Sequence, residues 1–308
     1  MDNDTYKKIK LDFQDKYFKV IKPKLAYYEE KRLAGQAKWK KQKNIVVLIG
    51  TILTIGAFFI HLQLAFMAGF MALIVGLIIR TSIAGKINLE MKQDFMPIVC
   101  ECFENLRWSN VRPARTSEFY DVGLVDYYNR TSFDDIFIGN YKGVHFKIIE
   151  ADLKYESGSG KNRSVRTILY GIILKIEANS TNSSHTIIRP DSLIKGTIKN
   201  LKRTELEDVI FEKKFDVYTN DEVEARVVIT AAFMERLNNI GKVFKAYSTS
   251  CAFLNNAVYV ALDTRKDMFE IFDFNKPIDG AEFFARMFEE LLSIYKLIDY
   301  LELGQKTT

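Results

Sequence analysis

The chain has 308 residues, 48% of them hydrophobic, a net charge of +5 and three cysteines. That is enough apolar material for one or two folded domains, and it excludes the low-complexity and disulfide-rich classes. The charge is uneven: residues 1–43 hold thirteen Lys and Arg against six Asp and Glu, a local +7 that leaves −2 for the remainder. Such a distribution argues against a nucleic-acid partner and fits a cationic flank beside a membrane span.

The cysteines, Cys100, Cys102 and Cys251, are odd in number and fit a reducing compartment. No His or Cys cluster completes a ligand set around Cys100-Glu101-Cys102, so no metal and no cofactor is expected. The first forty residues are too densely charged for a cleavable signal.

In chain order, residues 1–43 read as a basic amphipathic helical segment. Tyr6, Ile9, Phe13, Tyr17 and Val20 recur every three or four residues and predict one apolar face, interrupted at Pro23. An alternative lays the same helix on anionic lipid through Lys7, Lys8, Lys10, Lys16, Lys19, Lys22 and Lys24.

Two uncharged apolar runs follow, Ile45–Ile60 and Leu64–Ile79. As one helix they would extend about 52 Å, too long for a hydrocarbon core of roughly 30 Å. As two helices of about 24 Å each, slightly extended by their flanks, they fit. Residues 44–84 therefore read as a transmembrane helical hairpin, with spans at about 45–61 and 63–80 and the outer turn at "FIHLQLA", residues 59–65. Lys38, Lys40, Lys41 and Lys43 precede the first run, Arg80 and Lys86 follow the second, and the turn carries no fixed charge. The lipid bilayer is thus a partner, these six residues lie at the membrane surface, and both termini are expected in the cytoplasm. Small residues at spacings of four, Ala65-Gly69 and Ala68-Ala72-Gly76, favour packing within the hairpin, with homo-oligomerisation through the same face as the second use.

Residues 85–107 read as a helical stalk, with Ile87, Met91, Phe95, Ile98, Cys102 and Leu106 in helical period around Pro97. Its stripe is expected to face that of the first segment.

Residues 108–308 read as a soluble α+β domain. "DIFIGNYKGVHFKIIEA" predicts a hairpin turning at Gly139–Gly143, "YESGSGKNRS" a turn, and "RTILYGIILKIEA" a further strand. After the polar loop "NSTNSSH", Phe215 and Val217 alternate before a turn at Thr219-Asn220-Asp221. Ala225, Val227 and Ile229 alternate again as a second hairpin strand. Thr230 caps a helix over Ala231–Asn239, closed by Gly241. "SCAFL" and "AVYVALD" flank Asn255-Asn256, and "FEIFDF" reads as one more strand. The capping box Asp279-Gly280-Ala281-Glu282 opens a helix to about Leu303. Its buried stripe runs Phe284, Met287, Phe288, Leu291, Ile294, Ile298, Leu301. Antiparallel strands with helices gathered at the end are α+β.

The order "LEDVIFEKKFDVYTNDEVEARVVITAAFMERL", "CAFLNNAVYVAL", "FEIF" resembles a bacterial membrane-anchored family catalogued as a domain of unknown function, number 3137. "DDIFIGNYKGVHFKIIEADL" and "YGIILKIE" are similar to its earlier blocks. The resemblance implies two membrane helices before a cytoplasmic α+β domain, placed in the inner or plasma membrane of a bacterium. It brings no catalytic residues. Members are often encoded near LemA-type membrane proteins, which implies a protein partner of that kind.

Few residues carry chemistry. Gly158-Ser159-Gly160-Lys161 has Tyr155 and Asn162 where a phosphate-binding loop needs Gly and Ser or Thr, so it reads as a hairpin turn. His61, His145 and His185 are too scattered for a metal site or a general base, and a Gly-x-Ser-x-Gly elbow is lacking. The remaining constellation is acidic: Glu207, Asp208, Glu212, Asp216, Asp221, Glu222 and Glu224, beside Arg226. If Asp216 stood opposite Glu224 or Arg226 on paired strands, Asp216, Asp221, Glu224 and Arg226 would share a face able to bind a cation or a basic peptide. The expected function is that of a membrane-anchored interaction or scaffold protein. The alternatives are a metal-dependent enzyme using residues 216–226, and a membrane-remodelling protein acting through the basic helix and short hairpin.

Overall fold

The computed structural model describes residues 3–111, 117–177, 184–190, 200–206, 208–278 and 281–300. The chain divides into two units, one of residues 10–99 with 271–285 and the other of residues 1–9, 100–270 and 286–308.

The first unit is built on long helices. Helix α1, Asn3–Lys16, passes through a π turn at Tyr17–Ile21 into α2, Lys22–Phe58. Pro23 explains the π turn: it has no N–H to donate and its ring crowds the preceding turn, so the ladder loosens just before it. The Lys22 N–H accordingly reaches back five residues to the Tyr17 carbonyl. Phe59, Ile60 and His61 make the turn, with the Ile60 and His61 N–H groups donating to the Ala57 carbonyl. Helix α3, Leu62–Cys100, then runs 39 residues and includes Pro97. Each apolar run continues without a break into the charged helix beside it.

Both helices are long and apolar enough to cross a membrane. Around the turn their side chains point outward: Leu48, Ile49, Ile52 and Leu53 on α2, and Phe66, Met67, Phe70 and Leu73 on α3, are all exposed. The two helices meet through small residues, Gly50 against Ala72 and Gly69 against Thr54.

Farther from the turn the pair is held by a buried stripe, Ile21, Leu25 and Tyr28 on one side and Ile87, Met91 and Phe95 on the other. The Phe95 ring packs edge-on against Tyr28 at 5.3 Å and against Phe284 at 5.3 Å. The Tyr28 hydroxyl donates to Asp94 Oδ2 at 2.8 Å, and Lys31 pairs with Glu90 at 2.5 Å. Desolvation, together with Asp94, pushes the Tyr28 hydroxyl pKa well above its ordinary value. Along the π turn and α2 the stripe follows Ile21, Leu25 and Tyr28; Val20, expected in it, is exposed.

The segment "FEIFDF", expected as a strand, is not one. Phe269 has φ +46, and beyond it the backbone bonds to side chains of α2 instead of to a neighbouring strand. The Phe274 carbonyl accepts from Arg32 Nη1 at 3.2 Å and Gln36 Nε2 at 2.6 Å, and the Ile278 N–H donates to Glu29 Oε2 at 2.9 Å. Gly35 leaves room for it, since a β-carbon there would lie 3.0 Å from Ile87 Cδ1 and 3.3 Å from the Phe274 ring.

The second unit is α+β. Its strands are β1 Arg107–Ser109, β2 Arg130–Tyr141, β3 Val144–Ser157, β4 Ser164–Glu177, β5 Thr186–Pro190, β6 Lys202–Thr204, β7 Phe215–Thr219, β8 Ser248–Leu254 and β9 Ala257–Asp263. They form one antiparallel sheet in the order β1-β2-β3-β4-β9-β8-β5-β7-β6. Helices α4 Glu118–Asp121, α5 Val209–Glu212, α6 Glu222–Val228, α7 Ala231–Val243 and α8 Ala281–Tyr300 complete the elements. One core cluster joins Phe119, Leu124, Ile149, Leu153, Ile173, Ile187 and Tyr218.

The hairpin turns follow from backbone chemistry. Lys142 and Gly143, and Asn255 and Asn256, both have positive φ at the two central positions, the twist that matches paired strands. Residues 158–163 turn β3 into β4, strand to strand, the hairpin turn expected of Gly158-Ser159-Gly160-Lys161.

Residues 222–228, expected as a strand, are helix α6. Asp221 decides it: its side chain accepts the Val223 and Glu224 N–H groups, and this cap overrides the alternating pattern. Burial then follows the helical period, Ala225 and Ile229 inside while Val223 and Val227 are 74% and 69% exposed. Thr230 caps α7 as expected, but α7 runs through Gly241 to Val243. Gly241 serves instead as a close approach, because a β-carbon there would lie 2.6 Å from Thr249 Oγ1. In α8, Phe284, Met287, Phe288, Leu291, Ile294 and Ile298 are all buried. The capping residues Asp279 and Gly280, Leu301–Leu303, and the loop residues 179–183 lie outside the described residues.

Candidate binding site

The acidic residues singled out in the sequence do not come together. Because residues 222–228 are helical, Asp216 does not face Glu224 or Arg226 across a hairpin, and the shared face required by the metal-dependent alternative is not formed. Asp216 on β7 is only 1% exposed and accepts from Arg203 Nε at 2.7 Å. That hydrogen bond holds the Arg203 pKa above its ordinary value against desolvation. Asp221 caps α6, Glu224 follows one turn later, and Arg226 lies 3.9 Å from Glu222 on the same helix. Asp208 accepts the Phe211 N–H and Glu212 the Leu206 N–H, so these acids shape backbone turns. Glu207 lies outside the described residues.

Of the cationic residues at the base of the helix pair, Lys43 and Arg80 meet at one aromatic ring. Lys38, Lys40, Lys41 and Lys43 on α2 and Lys86 on α3 are exposed, with Arg80 half-buried. Lys43 Nζ lies 5.3 Å and Arg80 Cζ 5.8 Å from the Trp39 ring centroid, and the indole Nε1 donates to the Gly76 carbonyl at 3.4 Å. Cations beside a tryptophan at the end of an apolar span are the residues that anchor helices at a membrane interface. Between this ring and the turn, α2 and α3 enclose a groove of about 430 Å³ lined by Val46, Gly50, Thr54, Gly69 and Leu73.

The sheet unit holds a polar cavity of about 520 Å³. Its elements are α4, which brings Glu118 and Asp121; β4, which brings Lys175 and Glu177; the Asn255-Asn256 turn; and β9, with Ala257 and Tyr259. Register explains the convergence. Lys175 pairs with Tyr259 and Glu177 with Ala257, so all four lie on one sheet face. Ala257 is the small member, and the space above it is the cavity.

At its floor, Glu118 Oε1 accepts from Lys175 Nζ at 2.5 Å and from the Tyr259 hydroxyl at 2.9 Å. Lys175 also stands 5.3 Å from the Tyr259 ring centroid. Burial disfavours the Glu118 carboxylate, but the bonds from Lys175 and Tyr259 outweigh it and hold the pKa below its ordinary value. Burial likewise disfavours the Lys175 ammonium, and Glu118 reverses it, raising that pKa. Desolvation, then Glu118, raises Tyr259. At the rim, Asp121 Oδ2 accepts from the Ser117 hydroxyl at 2.9 Å, and Glu177 is exposed. The lining can hold a polar group by several hydrogen bonds at once, in the manner of a small binding site.

Asp134, Glu150 and Asp267 form a second acidic group, each offering an oxygen within 4.8 Å of the others. Oxygen donors at that spacing suit a hard divalent cation. Glu150 Oε1 already accepts the Met268 N–H at 2.6 Å, which gives that carboxylate a structural use as well. These acids also raise Tyr170, to about 12, after the larger effect of desolvation.

No curated protein matches the chain. A solved structure described as the crystal structure of the mycobacterial trehalose monomycolate transport factor A, TtfA, is similar over 62% of this chain and 95% of that one, with 9% identity and a TM-score of 0.34. Residues 167–303, from β4 to the C-terminal helix, match the model of the family described as Protein of unknown function (DUF3137).

Proposed function

We propose that the protein is a membrane-anchored interaction or scaffold protein. Its two apolar helices cross a bacterial inner or plasma membrane as a hairpin, with both termini and the α+β domain in the cytoplasm. The observation that carries this is the outward-facing apolar surface of α2 and α3 around the turn at residues 59–61, bounded at its other end by Lys43, Arg80 and Trp39. So large an exposed apolar surface is unstable in water and stable in lipid. The uncharged turn is the part that crosses, and the cations stay behind.

The partner is a protein held by the α+β domain, for which the polar cavity offers convergent hydrogen-bonding groups; a LemA-type membrane protein is the named candidate. Reporter fusions at Leu62 and at the C-terminus, read in the same cells, test the topology: opposite locations are expected, and a shared location overturns it. Crosslinking in native membranes tests the scaffold role, with a reproducible protein adduct expected; its absence counts against that role.

A further inference from the structure

The groove between α2 and α3 follows from how the two helices meet. Gly50, Gly69 and Ala72 bring the backbones together without filling the valley beside the contact, and Val47, Ile55 and Leu73 line it with apolar surface. The Thr51 hydroxyl, also in the lining, donates to the Val47 carbonyl at 2.8 Å and needs nothing from a ligand. From Lys43 to Ile55 the groove follows α2 for about 18 Å, close to the roughly 15 Å of one leaflet in a hydrocarbon core of about 30 Å. The end away from the turn is cationic and aromatic, since Lys43 and Trp39 belong to the lining. Between Glu30 and Glu90 the chain has no Asp or Glu, so neither span offers a carboxylate to Lys43. A second copy would offer none either: it inserts in the same orientation and brings its own lysines to the same level.

We propose that this groove holds one acyl chain of an anionic phospholipid of the cytoplasmic leaflet, with the headgroup phosphate at Lys43 beside the Trp39 indole. The chemistry fits in three respects. An unfilled valley forfeits dispersion contacts, and a flexible apolar chain of one leaflet's length restores them. The Lys43 ammonium suits a phosphate as a point charge, and an indole sits favourably at headgroup level. The surrounding Lys38, Lys40 and Lys41 favour a headgroup of net negative charge over a zwitterionic one, whose own cation would meet them. This lipid differs from the rest of the bilayer in occupying one defined position on each chain.

This inference rests on the membrane-hairpin reading, and its test is separable from that reading. The full chain in detergent micelles is titrated with phosphatidylglycerol and, separately, with phosphatidylcholine of the same acyl chains, and lipid adducts are counted by native mass spectrometry. Phosphatidylglycerol saturates at one adduct per chain, while phosphatidylcholine binds at least about fivefold more weakly. Lys43→Gln, at an exposed position, weakens phosphatidylglycerol by about fivefold and leaves phosphatidylcholine unchanged. A β-carbon at Gly76 meets open space, so Gly76→Leu adds bulk to the groove without separating the helices; it weakens both lipids by about tenfold or more at an unchanged melting temperature. Gly56→Leu, equally open but outside the lining, leaves binding as it was. Equal affinity for the two lipids, no saturable adduct, or unchanged phosphatidylglycerol binding in Lys43→Gln or Gly76→Leu overturns the proposal. Lipid-free dimers that Gly76→Leu abolishes also overturn it, because they give the groove to a second copy. Any of these results with opposite reporter locations at Leu62 and the C-terminus leaves the hairpin standing, whereas a shared location overturns both.

Discussion

A β-carbon built on Gly50 would stand 2.5 Å from the β-carbon of Ala72, so helices α2 and α3 approach at that point as closely as glycine allows. Only the Ala72 methyl fills the contact, and no side chain can be added at Gly50 without moving a helix. Gly50→Ala is expected to separate the pair locally and to destabilise it by about 1–3 kcal/mol, the usual cost of overpacking. Restoring the space with Ala72→Gly in the same chain should recover most of that loss. Thermal unfolding in detergent micelles checks both, and an unaltered melting temperature for the single variant would contradict the close packing.

Phe95 is completely buried between the rings of Tyr28 and Phe284. Truncation to Ala is expected to cost about 3–5 kcal/mol, because the ring is lost and neighbours on rigid helices cannot close the gap. Tyr28→Phe keeps the ring and removes the hydroxyl with its 2.8 Å bond to Asp94 and its 3.3 Å bond to the Glu90 carbonyl, an expected loss of about 1 kcal/mol. Since the two side chains touch, the double variant should lose less than the sum. Chemical denaturation of the four proteins measures that difference.

What was legible in the sequence was local. The apolar runs, the turns at Lys142-Gly143 and Asn255-Asn256, the Thr230 cap and the stripe of α8 are each written within a few neighbouring residues. Residues 222–228 and "FEIFDF" depart from the strands expected of them because another interaction holds the backbone. For residues 222–228 it was the Asp221 cap. For "FEIFDF" it was Arg32 and Gln36, whose bonds to the Phe274 carbonyl span more than 200 residues of sequence. The polar cavity was hidden in the same way, since Glu118 and Lys175 are 57 residues apart. One signal was present: Lys175 interrupts "GIILKIE", a charge inside an otherwise buried strand, and such a residue needs a partner.

Asp221 and Arg203 separate capping from ion pairing. Asp221→Ala removes the acceptor for two N–H groups at the start of α6 and should cost about 1 kcal/mol. Arg203→Ala takes the guanidinium away from Asp216, which is almost wholly buried, and should cost about 2–3 kcal/mol. Arg226→Ala, on an exposed helix face with a partner 3.9 Å away, should stay within about 0.5 kcal/mol. A ranking by urea midpoint in any other order would contradict these assignments.

The Glu118–Lys175 pair fixes the sign of a pH dependence. Glu118 has a folded pKa below its ordinary value, so its contribution is present above the unfolded pKa and is lost as pH falls through the folded one. Lys175 has a folded pKa above its ordinary value, so its contribution is present below the unfolded pKa and is lost as pH rises through the folded one. The pair therefore stabilises the fold across the neutral range and fails at both extremes. Both groups are partly solvated, which reduces the effect to about 1 kcal/mol at pH 7. Glu118→Gln retains the shape and an acceptor for Tyr259 but removes the charge. It should lower stability at pH 7 by about that amount and converge with the parent protein at acid pH, where Glu118 is protonated in both states. Lys175→Met should show the mirror image, converging with the parent only at strongly alkaline pH. Unfolding free energies measured from pH 3 to pH 11 decide it: parallel curves for parent and Glu118→Gln would mean that the carboxylate is not ionised against Lys175.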